Sequence, residues 1–203
     1  MKIKPKILMI HGGNTFKTRK DYLDFLKNLK IKLDKPKKWQ DEYLNKKLGK
    51  DFEIIRPEMP MKLNAKYEDW KIYFEHHLPL LGKDYILIGN SLGGIFLAKY
   101  LSENKLKNKP RAVFLICPPF DGSLSNEDLV GGFNLGKDLS LIEKNSKKIH
   151  VMFSEDDDVV PIEHADKYKN KLLNSEFHIY KNKNGHFKVS EFPEIIKLIK
   201  DYI

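Results

Sequence analysis

A chain of 203 residues, 41% hydrophobic and 11% aromatic, can bury a sizeable core as one folded unit and is not a disordered polymer. Its net charge of +9 comes from lysines scattered along the chain, with arginine only at Arg19, Arg56 and Arg111; this reads as a solvated surface and argues against a nucleic-acid partner. The single cysteine, Cys117, excludes an intrachain disulfide and a cysteine metal cage, and the run of about eighteen apolar residues needed to cross a membrane is missing.

The first stretch, "MKIKPKILMIHGG", is basic and then apolar. Its apolar part covers only residues 7–10 and no small-residue cleavage pattern follows, so it reads as a first strand and the protein is expected to be cytoplasmic. Residues 14–51 exceed what one crossover helix needs, and Pro36, which disfavours both a helical predecessor and a continuing helix, should divide them into two helices. A second strand is predicted at 52–55. Next, "YEDWKIYFEHHLPLL" sets Trp70, Tyr73, Phe74 and His77 at helical spacing. Strands follow at 85–88 and 112–116 with an apolar helix between them. Residues 118–147 are rich in Gly, Ser, Asn and Pro, too polar and broken for core, and read as an excursion over one end of the sheet, a small lid. Further strands are predicted at 149–153 and 177–180, and "EFPEIIKLIKDYI" closes the chain with Ile195, Ile196, Leu198 and Ile199 on one helical face.

Near-continuous β-branched and aromatic strands alternating with amphipathic segments imply an α/β fold, with helices on both faces of about six mostly parallel strands. No repeat or linker interrupts residues 1–203, which are expected to form a single domain.

The candidate chemistry starts at Gly89-Asn90-Ser91-Leu92-Gly93, where a buried strand hands over to an apolar helix. This is G-x-S-x-G in the strand–turn–helix setting that the motif requires. A serine on so tight a turn brings strand and helix together two residues to either side, where only Gly89 and Gly93 fit. The turn exposes the hydroxyl and aims the Leu92 amide at the same point, beside the positive end of the helix. No Gly-Lys-Ser/Thr follows, which sets aside a phosphate loop, and no acidic residue ends the next strand, which disfavours a dinucleotide fingerprint.

A serine hydroxyl needs a base. Of seven histidines, His186 stands out, in a glycine-marked loop after the last predicted strand, at the sheet edge where open α/β folds gather their sites. His76 and His77 are adjacent and lack a metal-binding repeat, His178 lies inside a strand, and His150 and His164 read as structural or surface residues. An imidazole base in turn needs a carboxylate, and Asp156, Asp157 and Asp158 stand at another strand end, in the order Ser, acid, His. Cys117 reads as a buried small hydrophobe near the substrate position.

Together these segments resemble the α/β-hydrolase fold, in particular small serine hydrolases similar to the retinoblastoma-binding serine hydrolase and its bacterial relatives. "HGGNT" resembles the oxyanion loop, "GNSLGG" the nucleophile elbow, "DDVVP" the acid turn and "GHF" with "EFPEI" the histidine loop and its closing helix. The resemblance implies a three-layer α/β/α sandwich of strand order 2-1-3-4-5-6 with little or no lid. It also selects Asp157 as the acid, because one residue, two aliphatic residues and a proline follow it. Asn90 departs from the histidine often found before the nucleophile. The implied activity is a carboxylesterase-like serine hydrolase acting on small esters through Ser91, His186 and Asp157. Leu92 and Gly13 (with Asn14 as alternative) would donate to the oxyanion, and no metal or organic cofactor is needed. The basic charge and the long 14–51 link leave a second reading, a hydrolase-like binding or scaffold protein with an unknown protein partner.

Overall fold

The computed structural model describes residues 4–31, 33–34 and 37–203. Its centre is a sheet of six parallel strands: β1 (Lys6–Ile10), β2 (Glu53–Ile55), β3 (Tyr85–Asn90), β4 (Ala112–Ile116), β5 (Ile149–Ser154) and β6 (Glu176–Tyr180), in the order β2-β1-β3-β4-β5-β6. The expected order holds, and "mostly parallel" becomes wholly parallel among the described strands.

Strand periodicity sorts the apolar residues onto two faces. Leu8, Ile10, Leu87, Val113, Leu115, Val151 and Phe153 pack with α3 (Tyr67–Leu81), α4 (Leu92–Glu103), α5 (Ser140–Asn145) and α6 (Glu163–Lys169). Ile7, Met9, Ile86, Ile88, Phe114, Ile116 and Met152 face α2 (Leu44–Leu48), a π-helical turn at Trp39–Tyr43 and α7 (Pro193–Lys200). Each such side chain contributes roughly 1.5–3 kcal/mol when fully buried, which is why the central strands carry no polar alternation.

Several expectations are refined. In α3 the inward stripe is Tyr67, Trp70, Phe74 and Leu81, while Tyr73 is exposed and meets the His77 ring edge-on at 4.9 Å along the flank. In α7 Ile195, Ile196 and Ile199 are buried, as the spacing predicts, with Leu198 packed partly against them. The 14–51 link carries α1 (Arg19–Asn28), closed by a Thr18–Asp21 capping box, before the π-helical turn and α2. The break predicted at Pro36 lies outside the described residues.

The reading of 118–147 as too polar for core is corrected. Leu129, Phe133, Leu139 and Ile142 are buried, and the Phe133 ring meets Trp70 edge-on at 5.4 Å. Irregularly spaced apolar residues escape a periodicity test, and the segment folds back over α3 and α4 instead of standing clear as a lid. It also reaches the loop after β1, where Thr15 pairs with Asp128 and the Thr15 hydroxyl donates to the Asp128 carbonyl at 2.6 Å.

Candidate active site

The β3–α4 turn holds Ser91 at φ 54°, ψ −120°, a backbone conformation that few side-chain-bearing residues adopt. The strain is maintained by backbone: the Ser91 amide donates to Ile116 at 2.8 Å, and the Ser91 carbonyl accepts from Gly94 at 2.8 Å. Close approach explains the flanking glycines. A Cβ on Gly89 would lie 2.4 Å from the Gly93 carbonyl oxygen, and one on Gly93 would lie 2.4 Å from that of Ile10. The elbow therefore clamps β3, α4 and the end of β1 together and lifts the hydroxyl above the sheet edge.

The loop after β1 lies over the same point. A Cβ on Gly12 would sit 3.2 Å from Ser91 Cβ, and one on Gly13 3.2 Å from the Leu92 side chain. His11 holds this loop: Nε2 accepts from the Met59 amide at 2.8 Å, so Nδ1 carries the proton toward the Gly12 carbonyl at 2.6 Å. The Asn14 amide donates to Lys62 at 2.9 Å and is committed, whereas the Gly13 amide has no hydrogen-bond partner among the described residues. Leu92 opens α4, so its amide has no carbonyl one turn back. Between Gly13 and Asn14, the geometry favours Gly13 as the second free donor beside Ser91.

The three aspartates after β5 are not equivalent. The Asp157 side chain is fully buried, and its carboxylate oxygens lie 2.8 and 2.9 Å from His186 Nδ1. Its Oδ1 also accepts from the amides of Val159 and Val160, each at 2.9 Å. Asp156 anchors the histidine loop by accepting from the amides of Lys183 at 2.9 Å and Gly185 at 2.8 Å. Asp158 accepts from the His186 amide at 3.2 Å and pairs with Lys188 at 2.6 Å. A row of like charges is thus distributed over one loop, and only its middle member reaches the imidazole.

His186 and Ser91 line one cleft of about 690 Å³, together with His11, Gly13, Arg56 and Glu127. His186 Nε2 faces Cys117 Sγ at 3.7 Å, and Ser91 Oγ makes no hydrogen bond among the described residues. Burial works against the imidazolium, but Cys117 and Asp157 outweigh it, so the His186 pKa is raised. Burial pushes the Cys117 thiol up, against the pull of His186. Leu92, Leu124, Leu129, Val159 and Val160, with Glu127 and Asp128, line a second, smaller niche of about 10 Å³ that also includes Ser91.

The remaining histidines lie apart from this cleft. His164 is structural, accepting from the Phe120 amide at 2.8 Å through Nδ1, with Nε2 2.9 Å from the Ser123 carbonyl. Arg56 and Glu127 were not singled out in the sequence. Arg56 had a signal, since it directly follows β2 at the sheet edge that carries the elbow; Glu127 sits in an irregular segment and had none.

A family model described as serine hydrolase matches residues 32–200. No curated protein matches the sequence. Among solved structures, the ydeN gene product of B. subtilis superposes with a TM-score of 0.74 at 18% identity, covering 98% of each chain. A lipase-esterase related protein from Clostridium acetobutylicum has a TM-score of 0.64 at 16% identity, covering 100% of this chain and 96% of that one. Est1E from Butyrivibrio proteoclasticus has a TM-score of 0.64 at 11% identity, covering 100% and 88%. The architecture is the α/β-hydrolase fold.

Proposed function

The chain belongs to the serine hydrolase family, and from that footing we propose that it cleaves small esters through a Ser91–His186–Asp157 triad and an acyl-enzyme intermediate. The observation that carries this reading is the buried Asp157 carboxylate 2.8 Å from His186 Nδ1, on the same cleft as the strained Ser91. Asp157 keeps the proton on Nδ1, leaving the Nε2 lone pair free to accept the Ser91 proton.

Ser91 Oγ attacks the ester carbonyl carbon as its proton passes to Nε2. The carbonyl oxygen gains the charge, and the amides of Gly13 and Leu92 stabilise it. Collapse breaks the bond to the leaving alcohol, which takes the proton from Nε2. Water, deprotonated by the same nitrogen, then attacks the acyl-enzyme and releases the acid and free Ser91. The imidazole must turn from Cys117 toward Ser91 for the first transfer. Triad contacts commonly tighten only when substrate arrives, and both side chains face one cavity. The niche of about 10 Å³ holds little more than one water-sized probe, which supports a short acyl group, with the bulkier portion of the ester in the wide cleft.

A fluorophosphonate probe should label the wild-type protein and leave Ser91→Ala unlabelled. On p-nitrophenyl esters of graded length, kcat/KM should be highest for acetate and fall as the acyl chain grows. Equal labelling of Ser91→Ala would overturn the nucleophile assignment, and a long-chain optimum would overturn the acyl-niche reading. An unreactive wild-type protein would favour a binding role.

A further inference from the structure

The opposite end of the sheet carries a second cluster of chemistry-bearing side chains that ester hydrolysis does not use. Glu176 and His178 are two residues apart on β6, so both project to the face that α7 covers. His150, near the start of β5, is the register partner of Glu176. His150 Nδ1 lies 3.1 Å from His178 Nε2 and 3.2 Å from Glu176 Oε2, and the three donor atoms all lie within 4.8 Å of one another.

We infer that His150, His178 and Glu176 form a binding site for one divalent transition metal of the zinc type. In tetrahedral coordination at zinc–ligand distances of about 2.0–2.2 Å, neighbouring donors stand about 3.3–3.6 Å apart, a few tenths of an ångström wider than the two spacings from His150 Nδ1. That nitrogen has a single hydrogen or a single lone pair. It cannot serve His178 and Glu176 together by hydrogen bonding, whereas a cation between the three atoms satisfies all of them. The surroundings fit as well. His150 is 2% exposed and stacks on Phe114, so its ring is fixed. Its other nitrogen lies 2.7 Å from the Tyr202 hydroxyl, which can accept the Nε2 proton and leave Nδ1 as the ligand atom. Lys148 pairs with Glu176 Oε1 at 2.6 Å and leaves Oε2 for the ion. Two imidazoles and one carboxylate leave a fourth position for water, and the ion would tie edge strand β6 to β5.

The test titrates zinc chloride into the chelator-treated full chain by calorimetry, in parallel with cobalt(II) absorption. The wild-type protein should bind one zinc per chain with a Kd below roughly 100 µM, and zinc should raise its melting temperature. His178→Gln should weaken binding by about 100-fold or more with ester hydrolysis unchanged, and Tyr202→Phe by about tenfold. Glu176→Gln, on a half-exposed side chain, is the second ligand variant if His178→Gln fails to fold. Cys117, Asp157 and His186 are a rival cluster, so Cys117→Ala is titrated beside these. Retained binding in Cys117→Ala, and a cobalt spectrum with no thiolate charge-transfer band, support the inference. It is overturned if the wild-type protein shows no saturable binding, if the ligand variants bind as tightly as the wild type, or if Cys117→Ala abolishes binding.

Discussion

Replacing Asp157 by asparagine probes the geometry most sharply, because the change is nearly isosteric and its consequence can be traced atom by atom. Oδ1 of Asp157 accepts from two backbone amides, Val159 and Val160, each at 2.9 Å. An asparagine NH2 cannot accept hydrogen bonds, so its carbonyl oxygen must stay with those amides and its NH2 takes the Oδ2 position, 2.8 Å from His186 Nδ1. Two N–H groups cannot face each other, and Nδ1 therefore gives up its proton. In a neutral imidazole the proton then resides on Nε2, the nitrogen that must accept from Ser91. The rate should fall on the order of 10⁴-fold, equivalent to about 5 kcal/mol of transition-state stabilisation. The fold should persist, since both amide bonds survive. Steady-state hydrolysis of p-nitrophenyl acetate gives the rate, and ¹⁵N shifts of labelled histidine give the tautomer. A loss smaller than tenfold, with His186 still protonated at Nδ1, would refute the assignment of Asp157.

Three further outcomes are expected. Because the His186 pKa is raised from its ordinary 6.5, with the Asp157 carboxylate favouring the charged form against burial, the imidazolium persists to higher pH, and kcat/KM should climb through a limb above pH 6.5; a limb at or below pH 6.5 contradicts the raised value. Gly93→Ala would push a Cβ to 2.4 Å from Ile10 O and 2.6 Å from His11 O, both backbone, so urea denaturation should show a loss of at least about 1–3 kcal/mol, with kcat impaired through displacement of Ser91. Phe133→Ala should cost about 3–5 kcal/mol, since the ring is fully buried against Trp70 and Tyr67; a cost under about 1 kcal/mol would return residues 118–147 to the status of a detachable lid.

The sheet was legible because its central strands are buried on both faces, so runs such as Ala112–Ile116 carry an unbroken apolar signal with no amphipathic ambiguity. Gly89 and Gly93 were legible for a related reason: a Cβ at either position would lie within 3 Å of neighbouring backbone, which excludes every residue that has one, and the sequence records that exclusion directly. Where position depends on tertiary packing, the signal fails. Tyr73 and Trp70 share the helical spacing of α3, yet Trp70 is fully buried and Tyr73 is exposed, because the stripe that α4 accepts is rotated toward Phe74 and Leu81. Phe133 and Leu139 lie in a stretch without period, and their burial follows from a chain path that only the folded structure reveals.

The aspartate row shows why a motif can be found and still not be divided among its members. Three identical side chains at adjacent positions have the same intrinsic chemistry, and the resemblance to a family pattern, not a physical argument, distinguished Asp157 in the sequence. The folded loop supplies the physical argument. Asp156 points to the amides of Lys183 and Gly185, Asp158 to the His186 amide and Lys188, and Asp157 alone to the ring. All three grip the same few residues from different sides, so the imidazole is positioned at its backbone by two carboxylates and oriented at Nδ1 by the third. Gly185 permits this crowding. At φ +70°, a Cβ there would lie 2.9 Å from Asp158 Oδ1, so any other residue would strain the loop and press on one of the carboxylates that hold it. The glycine that marked His186 as a candidate in the sequence is thus the same residue that lets the aspartates close around it.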